Sequence, residues 1–191
     1  MTSTGIAQSY RALKHNLQTE VDRKVDTLRN KGIYQAILYA PNSYMEILND
    51  PEKFSNRAFL IWIDKSNLYV QKFVQRWDST FTKSPLIYKD TILQKYVLLN
   101  RDTFFYAEIL PYTYKEVYQN VEYYKSAMET LHTNSTSFVF YFKDNSITKF
   151  IDHLWLEETS PVFSRNLNFK ANQISILNHL KIRCEKVIGR F

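Results

Sequence analysis

The stretch RAFLIWIDKSNLYVQKFVQRW, residues 57–77, decides the fold class that the sequence predicts. Its first eight residues, 57–64, are apolar at both alternating positions, as in a strand buried on both faces in the middle of a sheet. After the turn KSN, four apolar residues follow the i, i+3, i+4, i+7 spacing of one helix face: Val70, Phe73, Val74 and Trp77. A strand followed by a helix over 68–77 predicts the beginning of an α/β fold.

Elements of the same two kinds are predicted on either side of this stretch. Residues 6–31 carry apolar residues every three or four positions and end before Gly32, which predicts a long amphipathic N-terminal helix. Further strands are predicted over 33–40, 103–110 and 137–142. Further helices are predicted after Pro41, where Ser43 and Glu46 have capping-box spacing, and over 113–131, 147–154 and 170–188. The segment from Ser84 is ambiguous, with Pro85 favouring a helix.

The order of these elements restarts halfway along the chain. PNSYMEI at Pro41 matches PYTYKEV at Pro111, FLIWIDKSN matches FVFYFKDNS, and VQKFVQRW matches ITKFIDHL, in the same order. Two explanations stay open: an ancient tandem duplication of a β-α-β-α unit, or the likeness that any two such units share. The predicted fold is α/β in a single domain, 1–191, with repeat-like units at 33–100 and 103–188. A central four-stranded sheet carries helices on both faces and is led by the long N-terminal helix.

The composition excludes several classes of protein. Only three glycines occur in 191 residues, and the absence of GxxxxGK[ST] and GxGxxG excludes the two common glycine-rich nucleotide sites. The single cysteine, Cys184, excludes an internal disulfide and a cysteine-cluster metal site, and it indicates a reducing compartment such as the cytoplasm. The apolar runs are too short to span a bilayer, and the four histidines lack metal-ligand spacing. No cofactor, metal ligand or membrane contact is predicted.

Most of the net positive charge lies near the end of the chain. The whole sequence carries +6, and residues 161–191 hold six basic residues against one acid, a net of +5. On the last predicted helix four basic side chains fall within about 60° of one another: His179, Arg183, Lys186 and Arg190. This basic face predicts a contact with phosphates or with an acidic protein. The alternative is a solvated face whose cations complement the helix dipole.

Tyrosine is abundant between residues 112 and 124. A helix over 113–131 cannot bury all of these rings on one face, so Tyr118 and Tyr123 are predicted to be partly exposed. Exposed tyrosine favours a protein interface, because the ring adds contact area at a low cost in conformational entropy. The alternative is a helix that is buried on more than one side.

These observations favour a non-enzymatic binding or assembly protein, an adaptor or structural subunit of a larger complex. A protein partner is predicted, no catalytic residue is identified, and the oligomeric state is left open. The first alternative is a nucleic-acid-binding protein that uses the basic C-terminal helix. The second is a metal-dependent nuclease or other hydrolase, which requires dispersed carboxylates to converge in the fold: Asp64, Glu108, Glu116 or Asp152.

Overall fold

The computed structural model of the protein describes residues 3–42, 56–76, 79–88, 91–127 and 134–189. Within these residues the chain is mostly antiparallel sheet, and the predicted central four-stranded sheet with helices on both faces is wrong. Seven strands form one sheet, and two more form a separate ribbon. One cause of the wrong prediction, seen in the strand Asn67–Arg76, is that a strand with both faces buried can have the apolar spacing of a helix.

The helices and strands of the described residues have the following bounds. The α-helices are α1 (Ser3–Asn30), α2 (Thr91–Leu99), α3 (Phe169–Gln173) and α4 (Ile176–Ile188), with short 3-10 helices at Thr103–Phe105 and His153–Leu156. The strands are β1 (Ala36–Asn42), β2 (Asn56–Asp64), β3 (Asn67–Arg76), β4 (Ser79–Thr82), β5 (Leu86–Tyr88), β6 (Thr113–Tyr118), β7 (Val121–Ser126), β8 (Ser135–Tyr141) and β9 (Ser146–Asp152). The large sheet runs β4-β3-β2-β1-β8-β9, and β5 also pairs with β3.

The chain divides into two compact units. The first comprises Met1–Asp90 and Ser137–Thr148, and the second comprises Thr91–Thr136 and Lys149–Phe191. The boundary falls within strands β8 and β9, so the chain passes between the units three times.

The long predicted N-terminal helix is confirmed as α1, and it covers one face of the large sheet. Val21, Val25 and Leu28 follow the predicted spacing and pack into the same core as Leu60 and Phe73. The helix ends at Asn30, and Gly32 follows in the turn with a φ of 79°, in the left-handed region that glycine adopts without strain. Burial of this stripe in the core stabilises the helix against the sheet.

The predicted strands over 33–40, 57–64 and 137–142 are confirmed as β1, β2 and β8. Tyr39 and Phe59, on the opposite face of the sheet from α1, are also buried, and the Tyr39 ring centroid lies 5.2 Å from that of Phe138. Burial on both faces explains why β2 is apolar at both alternating positions.

The predicted helix over 68–77 is wrong, since β3 pairs antiparallel with β2 across the two-residue turn at Lys65 and Ser66. Lys65 adopts a φ of 56°, as a tight hairpin turn requires. Val70 lies on one face of β3 and Phe73 on the other, and both are buried. Because both faces are buried, the apolar spacing matches that of a helix. Trp77 lies outside the described residues.

Three other predicted elements are also wrong. Residues 113–131 form the β6–β7 hairpin in their described part, and 147–154 form mainly β9. Residues 103–110 form a single 3-10 turn followed by irregular chain. The segment from Ser84, which the sequence left ambiguous, contains both the strand β5 and, from Thr91, the helix α2. The last helix is confirmed but is interrupted at Ile174 and Ser175, where the Ser175 side chain caps α4.

The tandem β-α-β-α unit does not occur in the described residues. The matched segments FLIWIDKSN and FVFYFKDNS both lie in hairpins, β2–β3 and β8–β9, so the matching residues Lys72 and Lys149 are on strands. The short helix predicted from Ser43 and Glu46 lies outside the described residues.

Candidate functional site

The hairpin formed by β6 and β7, residues 113–126, is here called the arm. Its strands pair from Thr113 with Ser126 to Tyr118 with Val121, and only Gln119 and Asn120 connect them. These two residues have φ values of 51° and 65°, the left-handed pair that defines a type I′ turn. The twist of this turn matches the right-handed twist of the strands, so the arm is locally well formed although its turn contains no glycine.

The base of the arm packs against other residues of the second unit. Tyr112, Tyr114 and Ala127 form a buried cluster against which Phe163 packs, with ring centroids of Tyr114 and Phe163 at 4.8 Å. The Tyr112 hydroxyl donates to the Ser164 carbonyl at 2.7 Å. Burial raises the pKa of Tyr112, so the phenol stays protonated and keeps this hydrogen bond at neutral pH.

The outer edge of β6 is also held at its base. The Leu167 amide donates to the Thr113 carbonyl at 2.7 Å, and the Ser164 hydroxyl donates to the Lys115 carbonyl at 2.8 Å. The Asn166 side-chain oxygen accepts from the Thr113 amide at 3.4 Å. The first half of β6 is therefore fixed by residues 164–168.

The outer part of the arm is exposed on both faces. Because paired residues lie on the same face, Val117 and Tyr124 occupy one face, and Tyr118, Val121 and Tyr123 occupy the other. The exposed fractions of these side chains are large: Val117 64%, Tyr118 65%, Val121 50%, Tyr123 46% and Tyr124 67%. The arm thus presents apolar and aromatic groups to solvent on both of its faces.

The charges of the arm are paired within it. Lys115 binds Glu122 on one face, and Lys125 binds Glu116 on the other. The hydrogen bonds to these carboxylates raise the pKa of both lysines. The arm therefore carries no net charge, and its cations already have carboxylate partners, which favours an apolar contact over binding to phosphate.

The structure places the two predicted interface tyrosines, Tyr118 and Tyr123, together on one face of the arm. Sequence analysis missed Val117, Val121 and Tyr124, because the predicted helix placed them on its buried face. A usable signal was present: Lys115 and Glu122, and Glu116 and Lys125, lie at positions that become cross-strand neighbours around a two-residue turn at Gln119 and Asn120.

One residue of the predicted basic face, Arg183, makes a contact within the second unit instead of extending freely into solvent. The Arg183 guanidinium lies over the Tyr96 ring, 4.1 Å from its centroid, and Nη1 donates to the His179 carbonyl at 3.1 Å. Lys186 is exposed, and Arg190 lies outside the described residues. The Arg183 side chain therefore bridges α2 and α4.

The structure places the four predicted carboxylates in different parts of the fold. Asp152 is buried and caps the 3-10 helix at His153–Leu156, its Oδ1 accepting from the Leu154 amide at 2.9 Å. Asp64 ends β2, Glu108 is exposed, and Glu116 is paired on the arm. No group of three or more His, Cys, Asp or Glu in the described part of the chain could hold a metal ion.

An open cavity of about 390 Å³ lies beside the start of α4. Its lining is largely apolar and includes Leu110, Ile174 and Ile176. The Asn172 side chain, which also lines it, is fully engaged: it accepts from the Leu110 amide and donates to two carbonyls. The cavity thus offers little polar chemistry, and the arm remains the stronger candidate site.

No protein-family model, curated protein or solved structure matches this chain. Across residues 3–42, 56–76, 79–88, 91–127 and 134–189, none of the helices has the length and apolar character needed to cross a membrane.

Proposed function

We propose that the protein is a non-enzymatic binding or assembly protein, an adaptor or structural subunit of a larger complex, and that the arm contacts its protein partner. The observation that carries this proposal is the exposure of five apolar side chains on a hairpin whose charges are already paired. Several large apolar side chains exposed on both faces of one hairpin are more typical of an interaction site than of free protein surface.

The size and rigidity of the arm support a protein contact. Aromatic side chains each bury about 150–250 Å² when they enter an interface. The three exposed tyrosines of the arm can therefore supply a large part of the binding energy of such an interface. The type I′ turn and the anchored base hold the rings in place before binding. Binding therefore costs less conformational entropy than the ordering of a loose loop.

The nucleic-acid-binding alternative has less support. Of the four basic residues proposed for it, Arg183 is stacked on Tyr96, while Lys186 is exposed and contributes one accessible cation. Phosphate binding usually draws on several cations that act together. The hydrolase alternative has no specific observation in its favour. The single cysteine supports our placement of the protein in the cytoplasm.

The proposal is tested by affinity capture from the cells that produce the protein, in parallel samples with and without nuclease. The arm variant replaces Tyr118, Tyr123 and Tyr124 with serine. The matched control replaces Tyr106 and Val162, which are 86% and 78% exposed in the same unit but lie outside the arm. A third bait carries Arg183→Glu, Lys186→Glu and Arg190→Glu.

We expect one protein partner that is recovered equally well with and without nuclease, and equally well by the control and the basic-helix variant. The amount recovered with the arm variant should be lower by about tenfold or more. Retention of the partner by the arm variant would contradict a role for the arm. Nucleic acid recovered without nuclease by the parent and the arm variant, but not by the basic-helix variant, would instead favour the nucleic-acid-binding alternative.

A further inference from the structure

The outer edge of β7 is open in the structure. In a hairpin with a two-residue turn, residues alternate between pairs bonded to each other and pairs whose backbone groups point outward. The Leu167 amide reaches the Thr113 carbonyl from outside, so Thr113 and its partner Ser126 form an outward-pointing pair. By alternation the backbone groups of Glu122 and Tyr124 also point outward from β7.

These outward groups have no hydrogen-bond partner among the described residues. The corresponding edge of β6 is occupied at its base by residues 164–168, whereas no described segment lies along β7. An exposed, unpaired strand rich in aromatic and β-branched residues is a template for another strand. The occupant of this edge is therefore expected to be extended and to pair through its backbone.

We propose that β7 pairs antiparallel with β7 of a second copy of this chain, in a register centred on Tyr124. This inference rests on the proposed function, since it names the partner that the arm binds. A four-stranded sheet β6-β7-β7-β6 with twofold symmetry results, and both copies contribute the same residues.

Charge complementarity favours a second copy in this register. Centring on Tyr124 places the two Tyr124 rings opposite each other, Tyr123 opposite Lys125 of the second copy, and Glu122 opposite Ser126. The tyrosine–lysine neighbours allow a cation–π contact on each side of the centre. No like charges face each other across the new strand pair.

The neighbouring registers are less favourable. Centring on Glu122 or on Lys125 brings two like charges into direct opposition. Centring on Tyr123 places the Glu122 carboxylate against a Tyr124 ring, whose face is electron-rich and repels an anion.

Pairing at the edge of β7 gives a small contact. It brings the exposed side chains of β7 next to the new seam, whereas Val117 and Tyr118 lie on β6, away from it. Both faces of the four-stranded sheet stay open to solvent, so backbone hydrogen bonds supply much of the attraction and the interface is at the small end of the range. The pair should therefore form reversibly, at micromolar rather than nanomolar protein concentrations.

The register is tested by site-specific disulfide formation in the full chain. Glu122→Cys and Ser126→Cys are prepared separately, then oxidised alone and as an equimolar mixture. In the proposed register the two new cysteines face each other in a hydrogen-bonded pair with Cα atoms about 5.5 Å apart, within disulfide range. Each single variant places its own two cysteines about four residues apart along the strands, which is too far.

The native cysteine does not interfere with this measurement. Cys184 is fully buried, and burial raises the pKa of its thiol, so it is unreactive in the folded protein. We expect a cross-linked dimer from the mixture and almost none from either variant alone. Equal cross-linking of the single variants, or none in the mixture, would overturn the register and the pairing.

A second variant measures the assembly without new cysteines. Tyr124→Pro removes an outward N–H that the hairpin itself does not use, and edge strands tolerate proline at such positions. Sedimentation of the unmodified chain should show a concentration-dependent dimer, and the dissociation constant should rise about tenfold or more in Tyr124→Pro. A circular dichroism melt that matches the parent confirms that the variant is folded.

The outcomes separate this inference from the proposed function. A chain that stays monomeric at about 100 μM, far above the expected dissociation constant, overturns pairing with a second copy. If the arm variant of the capture experiment nevertheless loses a different protein, the proposed function stands and the strand at the edge of β7 belongs to that protein. A dimer that survives both Tyr124→Pro and the serine substitutions overturns the use of the arm.

Discussion

The side-chain amides of Asn166 and Asn172 donate to the same atom, the carbonyl oxygen of Trp155, at 3.0 and 2.8 Å. Both asparagines are almost fully buried. Asn166 also reaches the Thr113 amide at the base of the arm, and Asn172 exchanges two hydrogen bonds with the backbone of Leu110. One carbonyl thus links two amides that hold the chain entering the arm.

Replacing Asn172 with alanine is expected to lower the free energy of unfolding by about 2–4 kcal/mol. The substitution removes an almost fully buried amide, together with its two hydrogen bonds to the Leu110 backbone and its bond to the Trp155 carbonyl. Urea unfolding followed by fluorescence measures the loss. Asn145→Ala, on the exposed turn between β8 and β9, is the control and should change stability by less than about 0.5 kcal/mol. Equal losses in the two variants would contradict the role of the network.

The second prediction concerns the acid stability of the second unit. Burial, with the nearby Lys181, lowers the pKa of His153 below its ordinary value of 6.5, while Glu185 and Asp152 oppose the shift more weakly. The His153 Nε2 lies 2.9 Å from the Thr136 hydroxyl. Because the folded-state pKa is the lower one, the contribution of His153 to stability is present above about pH 6.5 and is lost as the pH falls toward the folded-state value.

His153→Gln removes this titration and keeps a polar group near Thr136. We expect its melting temperature to fall less than that of the parent between pH 7.5 and pH 5, since one fewer group gains a proton on unfolding. Thermal melts at several pH values provide the measurement. If the melting temperatures of the two proteins fall in parallel with pH, then His153 binds its proton equally well in the folded and unfolded states, and the prediction is wrong.

The third prediction concerns the turn of the arm. Asn120 has a φ of 65°, a conformation that glycine adopts without steric cost. Asn120→Gly should therefore favour the hairpin by a few tenths of a kcal/mol, whereas Asn120→Val should disfavour it by about 1 kcal/mol or more, because a β-branched residue is strained there. Hydrogen exchange of the amides of Val121 and Tyr123 reports the effect. Slower exchange in the valine variant would contradict the type I′ turn.

The fourth prediction separates structural from accessible cations on α4. Arg183→Gln loses the contact with the Tyr96 ring and should reduce stability by about 1 kcal/mol. Lys186→Gln removes an exposed charge and should have almost no effect. Urea unfolding of the two variants, side by side, provides the comparison. A stability loss from Lys186→Gln that equals the loss from Arg183→Gln would argue against the stacking contact.

Sequence analysis succeeded where one physical pattern dominates. The apolar residues of α1 lie on one face with polar residues on the others, and β2 is apolar without a break from Ala58 to Ile63, so neither has a competing interpretation. In β3, by contrast, Val70 and Phe73 are buried on opposite faces, and their separation by three residues is equally typical of a helix. Only the pairing with β2 distinguishes the two, and pairing cannot be read from local spacing.

The arm shows why the candidate site was predicted only in part. The exposed rings of Tyr118 and Tyr123 were expected from the excess of tyrosine, whereas the hairpin that bears them was not. Thr113 and Glu116 have capping-box spacing, yet Glu116 binds Lys125 across the hairpin. The turn residues Gln119 and Asn120 lack the Asn-Gly or Asp-Gly signature of a tight hairpin. The sequence therefore indicated a helix over 113–131 more strongly than it indicated a turn.

The neighbouring positions of β1 and β8 in the large sheet constrain how the protein is made. On a ribosome, β1 emerges early, but β8, the strand that pairs with its other edge, is encoded far downstream, after the whole arm. Until β8 has been made, one edge of the strand that contains Ile37 and Tyr39 has no strand to pair with. A nascent chain that pauses before residue 137 is thus the state most exposed to wrong pairing, and a chaperone that shields β1 during that interval would raise the yield of native protein.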